Sequence, residues 1–240
     1  MGVYLYPNGT MQCDVGGEKI DNRRPATAGC ESGMLAEKEA LMSAVMTAPA
    51  ATAITPDDLL RMPDQGQGYE LVDGELKELN VSFLSSFVAG QVYFHLQSHV
   101  GPRNSGWVSP EGTSFRCFPD DESRVRRADT AFHRLDRLPA DRALVEGHCS
   151  VVPDLVVEVV SPNDLADDLN EKRIEWLEAG AHIVWVIHPV QQTIHVYRAD
   201  GTVELFNRAD TLTGEPVLAD FRVPVAELFR LPTTVNVQAS

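Results

Sequence analysis

The apolar positions of this 240-residue chain fall into two regimes. Residues 1 to about 52 are rich in Gly, Ala, Thr and Pro and keep neither a helical nor a strand period. That pattern predicts a poorly ordered extension over 1–52 and a folded domain over 53–240. Met46 opens MTAPAATAITPDDLL, a stretch suited to a natural start, so the first 45 residues are expected to be an upstream extension of the reading frame. From Thr55 the pattern sharpens. Thr55 followed by Pro56, Asp57 and Asp58 predicts a helix start, with a capping hydroxyl, a first-turn Pro and acids at the positive end of the dipole. YELVDGELKEL (Tyr69–Leu79) alternates around Asp73-Gly74 and predicts a hairpin. Val81–Val100 is apolar enough for a helix ending near Gly101-Pro102. Short strands are expected around Trp107–Val108, Thr113–Phe118 and Ala128–His133. A strand at Asp154–Val160, a helix from about Asp167 to Ala179 stopped by Gly180, and a strand at His182–His188 follow. Thr193–Arg198 and Thr202–Phe206, split by Asp200-Gly201, predict a last hairpin.

One polar residue breaks the strongest apolar run. VVPDLVVEVVS (Val151–Ser161) reads as a strand buried on both faces, and Glu158 lies inside it with no positive charge nearby in sequence. A carboxylate there is costly unless it is paired, hydrogen-bonded or bound to a metal. Alternation places Asp154, Val156, Glu158 and Val160 on one face. On the following helix, Leu165, Leu169, Trp176 and Ala179 fall within about 60° of Lys172 at 100° per residue. Lys172 therefore interrupts an apolar stripe and should point at the sheet, where Glu158 is its natural partner. Glu171 should face solvent, and Glu175 lies at the edge of the stripe. A third acid, Asp129, sits upstream on a short expected strand in RVRRADTAF. Two carboxylates from adjacent strands can hold Mg²⁺, whose chemistry suits phosphodiester hydrolysis with a lysine orienting the nucleophile.

Composition narrows the picture. The net charge of -15 argues against tight, passive DNA binding, which normally shows a basic footprint. No run reaches the ~18 apolar residues of a membrane span, and no secretory signal is evident. The four cysteines lack Cys-x-x-Cys spacing, which fits reduced cytoplasmic thiols better than zinc ligands or disulfides.

At these residues the chain resembles the Uma-two-type restriction endonucleases of the PD-(D/E)XK nuclease superfamily. The resemblance runs from about Ile54 to Phe229. It is carried by YELVDGEL (Tyr69–Leu76), RRADTAF (Arg126–Phe132), PDLVVEVVSPND (Pro153–Asp164), and EKRIEWLEAG (Glu171–Gly180) leading into VWVIHP (Val184–Pro189). It implies an α/β (α+β) fold with a restriction-endonuclease-like core, a mixed central sheet flanked by helices. It also implies a DNA endonuclease using Mg²⁺ or Mn²⁺. Asp129 matches the acid of the first superfamily signature and Glu158 that of the second. The lysine two residues later is replaced by Val160, and Lys172 matches a family lysine moved to the next helix. Glu70 matches a recurrent acid that assists. Asp129 and Glu158 are thus the implied metal ligands, with a homodimer expected by analogy. The chain departs from the family at Ala128, where a Pro is usual, and after Leu79, where a His is usual.

Other readings of the same residues stand beside this one. Glu158 and Lys172 can form a buried structural ion pair, in a nuclease-like fold kept as a binding or regulatory module. Asp129 can be an exposed acid paired with Arg126 or Arg127, and Glu70 a surface acid of its hairpin. Arg124, Arg126, Arg127, Arg134 and Arg137 can contact phosphate or form a solvated face. A two-carboxylate glycosidase leaves Lys172 without a role and has few aromatic platforms, at 7% aromatic residues.

Overall fold

In the computed structural model, which describes residues 3–5, 11–13, 53–144 and 146–232, the chain separates into two units, Met1–Thr52 and Ala53–Ser240. In the first, β1 (Val3–Leu5) pairs antiparallel with β2 (Met11–Cys13). The remainder of the expected N-terminal extension lies outside the described residues.

The second unit opens as its sequence dictates. Thr55 caps α1 (Pro56–Arg61): its hydroxyl accepts from the Asp58 N–H, and the Asp58 carboxylate accepts from the Thr55 N–H. A 3₁₀ turn at Pro63–Gly66 leads to the hairpin β3 (Tyr69–Val72) and β4 (Glu75–Glu78), which turns at Asp73 and Gly74 with positive φ at both.

Helix α2 (Phe83–Arg103) carries a buried stripe of Val88, Ala89, Val92, Leu96 and Val100 at helical spacing. It ends at Arg103, close to the stop expected near Gly101-Pro102, and takes Pro102 into its last turn. Pro102 has no N–H to offer the Ser98 carbonyl and so removes one bond from the last turn. Asn104, in the left-handed region, then closes the helix through its N–H to the Gly101 carbonyl.

The central sheet follows. Its strands are β5 (Gly106–Pro110), β8 (Thr130–Arg134), β9 (Leu155–Val159), β10 (Ile183–His188), β11 (Thr193–Arg198) and β12 (Val203–Phe206). The two-residue strands β6 (Ser114–Phe115) and β7 (Arg126–Arg127) pair beside it, and α3 (Ala140–Ala143) is a single turn. The expected strand at Thr113–Phe118 is therefore shorter than its sequence suggests. The one at Ala128–His133 begins after a bend at Asp129. The sheet order is β12-β11-β10-β9-β8-β5, with β9 and β10 parallel and every other pair antiparallel. This is the mixed sheet that the family resemblance implies.

Helix α4 (Ala166–Ala179) is the crossover between the parallel pair, and Gly180, at φ 110°, ends it in a conformation that disfavours a side chain. Leu165 does not join the buried stripe of this helix. It occupies the cap position ahead of the first turn and is exposed. A hairpin that the sequence pattern does not predict, β13 (Thr211–Gly214) with β14 (Leu218–Pro224), and the single turn α5 (Val225–Leu228) complete the chain.

The alternation of β9 sorts the core into two layers. Leu155, Val157 and Val159 pack with Val88, Val92 and Leu96 of α2 and Phe221 of β14. Val156 packs on the opposite face with Trp176 of α4, Phe115 and Ala131. Glu158 shares the parity of Val156, so its side chain rises toward α4. That parity places the site.

Candidate active site

Glu158 is 3% exposed, and every atom of its carboxylate that could be left bare is engaged. Oε1 accepts from the Trp176 indole N–H at 2.8 Å, and Oε2 lies 2.8 Å from Lys172 Nζ. Trp176 follows Lys172 by one helical turn, so one face of α4 delivers both donors. Lys172 also lies 2.9 Å from Glu70 Oε1 and donates to the Arg127 carbonyl at 2.7 Å. Its three N–H donors are thereby all used.

Glu70 is not a surface acid of its hairpin. Strand β3 bridges to Val125, just ahead of β7, and carries Glu70 underneath, where it is 3% exposed. Its Oε1 also accepts from the Arg127 N–H at 2.7 Å, and Oε2 accepts from Arg126 at 3.0 Å. Arg126 in turn grips Glu175 of α4 with two bonds, at 2.6 and 2.9 Å. A buried chain of charge, Lys172–Glu70–Arg126–Glu175, thus ties β3, β7 and α4 together. Asp129 follows directly. Its N–H donates to the Val157 carbonyl, and its Oδ2 accepts from the Val159 N–H at 2.5 Å, which clamps it to β9 beside Glu158. Asp129 is half-buried and is paired with neither Arg126 nor Arg127. All four residues singled out from the sequence, Glu70, Asp129, Glu158 and Lys172, line one open cleft.

Most of the arginine cluster is engaged inside the protein rather than forming a solvated face. Arg127 is 4% exposed and donates to the carbonyls of Tyr69, Gln65, Gly66 and Gly112. Gly66 has φ +63°, and a Cβ there would run into Leu59, so this carbonyl cradle needs a glycine. Arg134 and Arg137 pair with Asp154, which is fully buried at the entrance of β9 and accepts from the Arg134 N–H. Asp154 is structural, as its position at the strand entrance suggests.

The site carries more negative charge than its one ammonium balances. Burial pushes the Glu158 carboxyl up to about 8; Lys172 opposes this, while Asp129 and Glu70 add to it. Burial likewise pushes Asp129 up to about 6 against Lys172 and the Val159 N–H. Burial works against charge on Glu70 too, but Lys172, Arg126 and the Arg127 N–H outweigh it and hold its carboxyl below the usual range. For Lys172, burial disfavours the ammonium, yet Glu158, Glu70 and Asp129 together hold it well above an ordinary lysine. The amine is therefore a fixed cation.

These residues fit a hard divalent cation. Asp129 and Glu158 present oxygen donors on one cleft, and the two carboxyls driven up by burial mark a place where added positive charge is favourable. Among the described residues no three His, Cys, Asp or Glu side chains form a ready-made cage. Mg²⁺ commonly binds through one or two carboxylates, with waters and substrate phosphate completing its shell. Sequence reasoning missed Glu175 as a partner of Arg126 and Trp176 as a donor to Glu158. Their spacing of three and four residues from Lys172 was the available signal.

The mixed sheet, with Asp129 just ahead of one strand, Glu158 inside its neighbour and Lys172 on the crossover helix, is the arrangement that the resemblance to restriction-endonuclease-like proteins implies. Residues 56–226 match the family described as "Uma2: Putative restriction endonuclease", and the chain belongs to that family. No curated protein matches it. Among solved structures it is similar to the crystal structure of "a putative nuclease belonging to DUF820" from Anabaena variabilis ATCC 29413. The identity is 20% and the TM-score 0.62, covering 73% of this chain and 97% of the other, a likeness of fold. No helix among the described residues is long and apolar enough to cross a membrane.

Proposed function

We propose that this protein is a cytoplasmic endonuclease that hydrolyses DNA phosphodiester bonds with Mg²⁺, or Mn²⁺ in its place, acting as a homodimer. The observation that carries the reading is Lys172 Nζ fixed at 2.8 Å from Glu158 and 2.9 Å from Glu70, in the cleft that Asp129 also lines. Asp129 and Glu158 would hold the metal, which when bound supplies charge neutralisation at the phosphate and lowers the pKa of water. Lys172 acts as a cation: held protonated by three acids, it places positive charge beside the phosphate, and it would orient the attacking water by exchanging one of its three donors to it. It is ill suited to accept a proton. Glu70 and the Arg127 carbonyl fix the amine together with Glu158. Trp176 holds the Glu158 carboxylate in plane, leaving lone pairs on both oxygens. Two such sites in a homodimer would cut both strands.

The test is cleavage of plasmid and single-stranded DNA with Mg²⁺ or Mn²⁺ by the wild type, Glu158→Ala and Lys172→Ala. Metal-dependent nicking is expected, with Lys172→Ala slower by roughly 10²-fold or more and Glu158→Ala inactive. A well-folded wild type that cuts neither substrate with either metal would favour a non-catalytic binding or regulatory module.

A further inference from the structure

A second cavity, separate from the cleft, opens beside the edge strand β5. It encloses about 640 Å³, within the range of sites for small organic ligands. Strand register places it. Trp107 lies opposite His133 and Ser109 opposite Ala131, so these four side chains share the sheet face that carries Ala131 and Val156 toward α4. Phe115 and His133, stacked with centroids 5.8 Å apart, are buried among its lining residues. Trp107 donates its indole N–H to the Leu138 carbonyl at 2.8 Å, which fixes the ring while leaving it 38% exposed. The Ser109 Oγ is buried with no hydrogen-bond partner among the described residues. Arg142, on α3, is exposed and lines the same cavity.

The chemistry of these groups is specific. A held indole face recognises a flat ring. A buried hydroxyl without a partner is costly until a ligand satisfies it, which calls for a polar ring edge. A guanidinium supplies paired donors for phosphate. A nucleotide has all three features. The position agrees, since Trp107 lies on β5, which ends at Pro110, and the next residue, Glu111, lines the catalytic cleft. Four residues of strand span roughly 13 Å, so a strand lying in the cleft can place a neighbouring base here.

We infer that this cavity is a nucleotide site that receives an unstacked base of the substrate strand. Trp107 contacts the ring, Ser109 its edge and Arg142 its phosphate. Placing the base on a DNA strand rests on the nuclease reading above; the chemistry of the cavity does not.

The experiment uses the full chain with metal chelated, so that nothing is cut. Tryptophan fluorescence is followed while adenosine 5′-monophosphate, a single-stranded decanucleotide or inorganic phosphate is added. Trp176 bonds Glu158 and packs on Phe115, so the change is assigned to Trp107 only where Trp107→Phe abolishes it. Saturable quenching by the decanucleotide is expected, weakened about tenfold in Arg142→Ala and also reduced in Ser109→Ala, with no response to phosphate alone. Quenching by the mononucleotide without the decanucleotide would overturn the placement on the substrate strand. No saturable quenching by either, from protein with native circular dichroism, would overturn the site itself. Quenching in a protein that cuts no DNA would support the site while removing the nuclease reading, so the two failures are distinct.

Discussion

Glu175 never touches the cleft acids, yet it decides how much of the site can stand. Its carboxylate holds the Arg126 guanidinium with two short bonds, and Arg126 holds Glu70. Arg126 is 3% exposed, so removing Glu175 leaves a buried cation that Glu70 alone must balance. Glu175→Ala is expected to lower stability by about 3–5 kcal/mol, read from urea unfolding. Glu171→Ala, on the solvent side of the same helix, should stay within about 0.5 kcal/mol. At this scale the sequence was partly legible. The Glu158–Lys172 pairing follows from two periodicities meeting across one connection, a strand alternation and a helical stripe. The burial of Glu70 does not, because it depends on β3 bridging to a segment more than fifty residues away, and no local pattern in YELVDGEL records that contact. The arginines misled for a related reason. A run of cations looks solvated until the buried carboxylates and carbonyls that accept from it are known.

At the scale of elements, β8 links the site to the second cavity, with Asp129 just before it and His133 near its far end. Burial holds the His133 ring below its ordinary value of 6.5, although the Val151 carbonyl and Asp154 favour the charged form. On acidification the unfolded chain therefore takes up this proton first. The contribution of His133 to stability is full above the unfolded value, near 6.5, and is lost as pH falls from there through the depressed folded value. Urea midpoints measured between about pH 7.5 and 5.5 should fall for the wild type, and fall less for His133→Phe. An equal fall in both would place the acid sensitivity elsewhere. The elements around this strand were read well where patterns are long. Strand β11 and helix α4 match their expected ranges closely, because alternation and Gly180 mark them clearly. The hairpin β13–β14 escaped, since Thr211–Gly214 offers a single inward apolar residue, Leu212, before the turn.

Across the molecule the acidity is uneven in its consequences. The formal charge of -15 is mostly surface charge, but the excess at Asp129, Glu158 and Glu70 is buried, where screening by salt is weak. A divalent cation binding there would stabilise the folded state by mass action, by about 2.7 kcal/mol at a hundred times its dissociation constant. Thermal unfolding with added Mg²⁺ should therefore shift upward for the wild type and much less for Asp129→Asn. An equal shift in both would exclude Asp129 as a ligand. Chelation should reverse the shift without unfolding the domain, because the aliphatic layers on both faces of the sheet do not depend on it.

The lysine of this site is carried by a helix that must dock on the sheet, whereas Glu158 belongs to a strand and Asp129 immediately precedes one. A chain part-way through folding can thus have β8 and β9 zipped together and still lack its amine. On the nuclease reading, chemical competence arrives only when strand, crossover and following strand have closed as a unit.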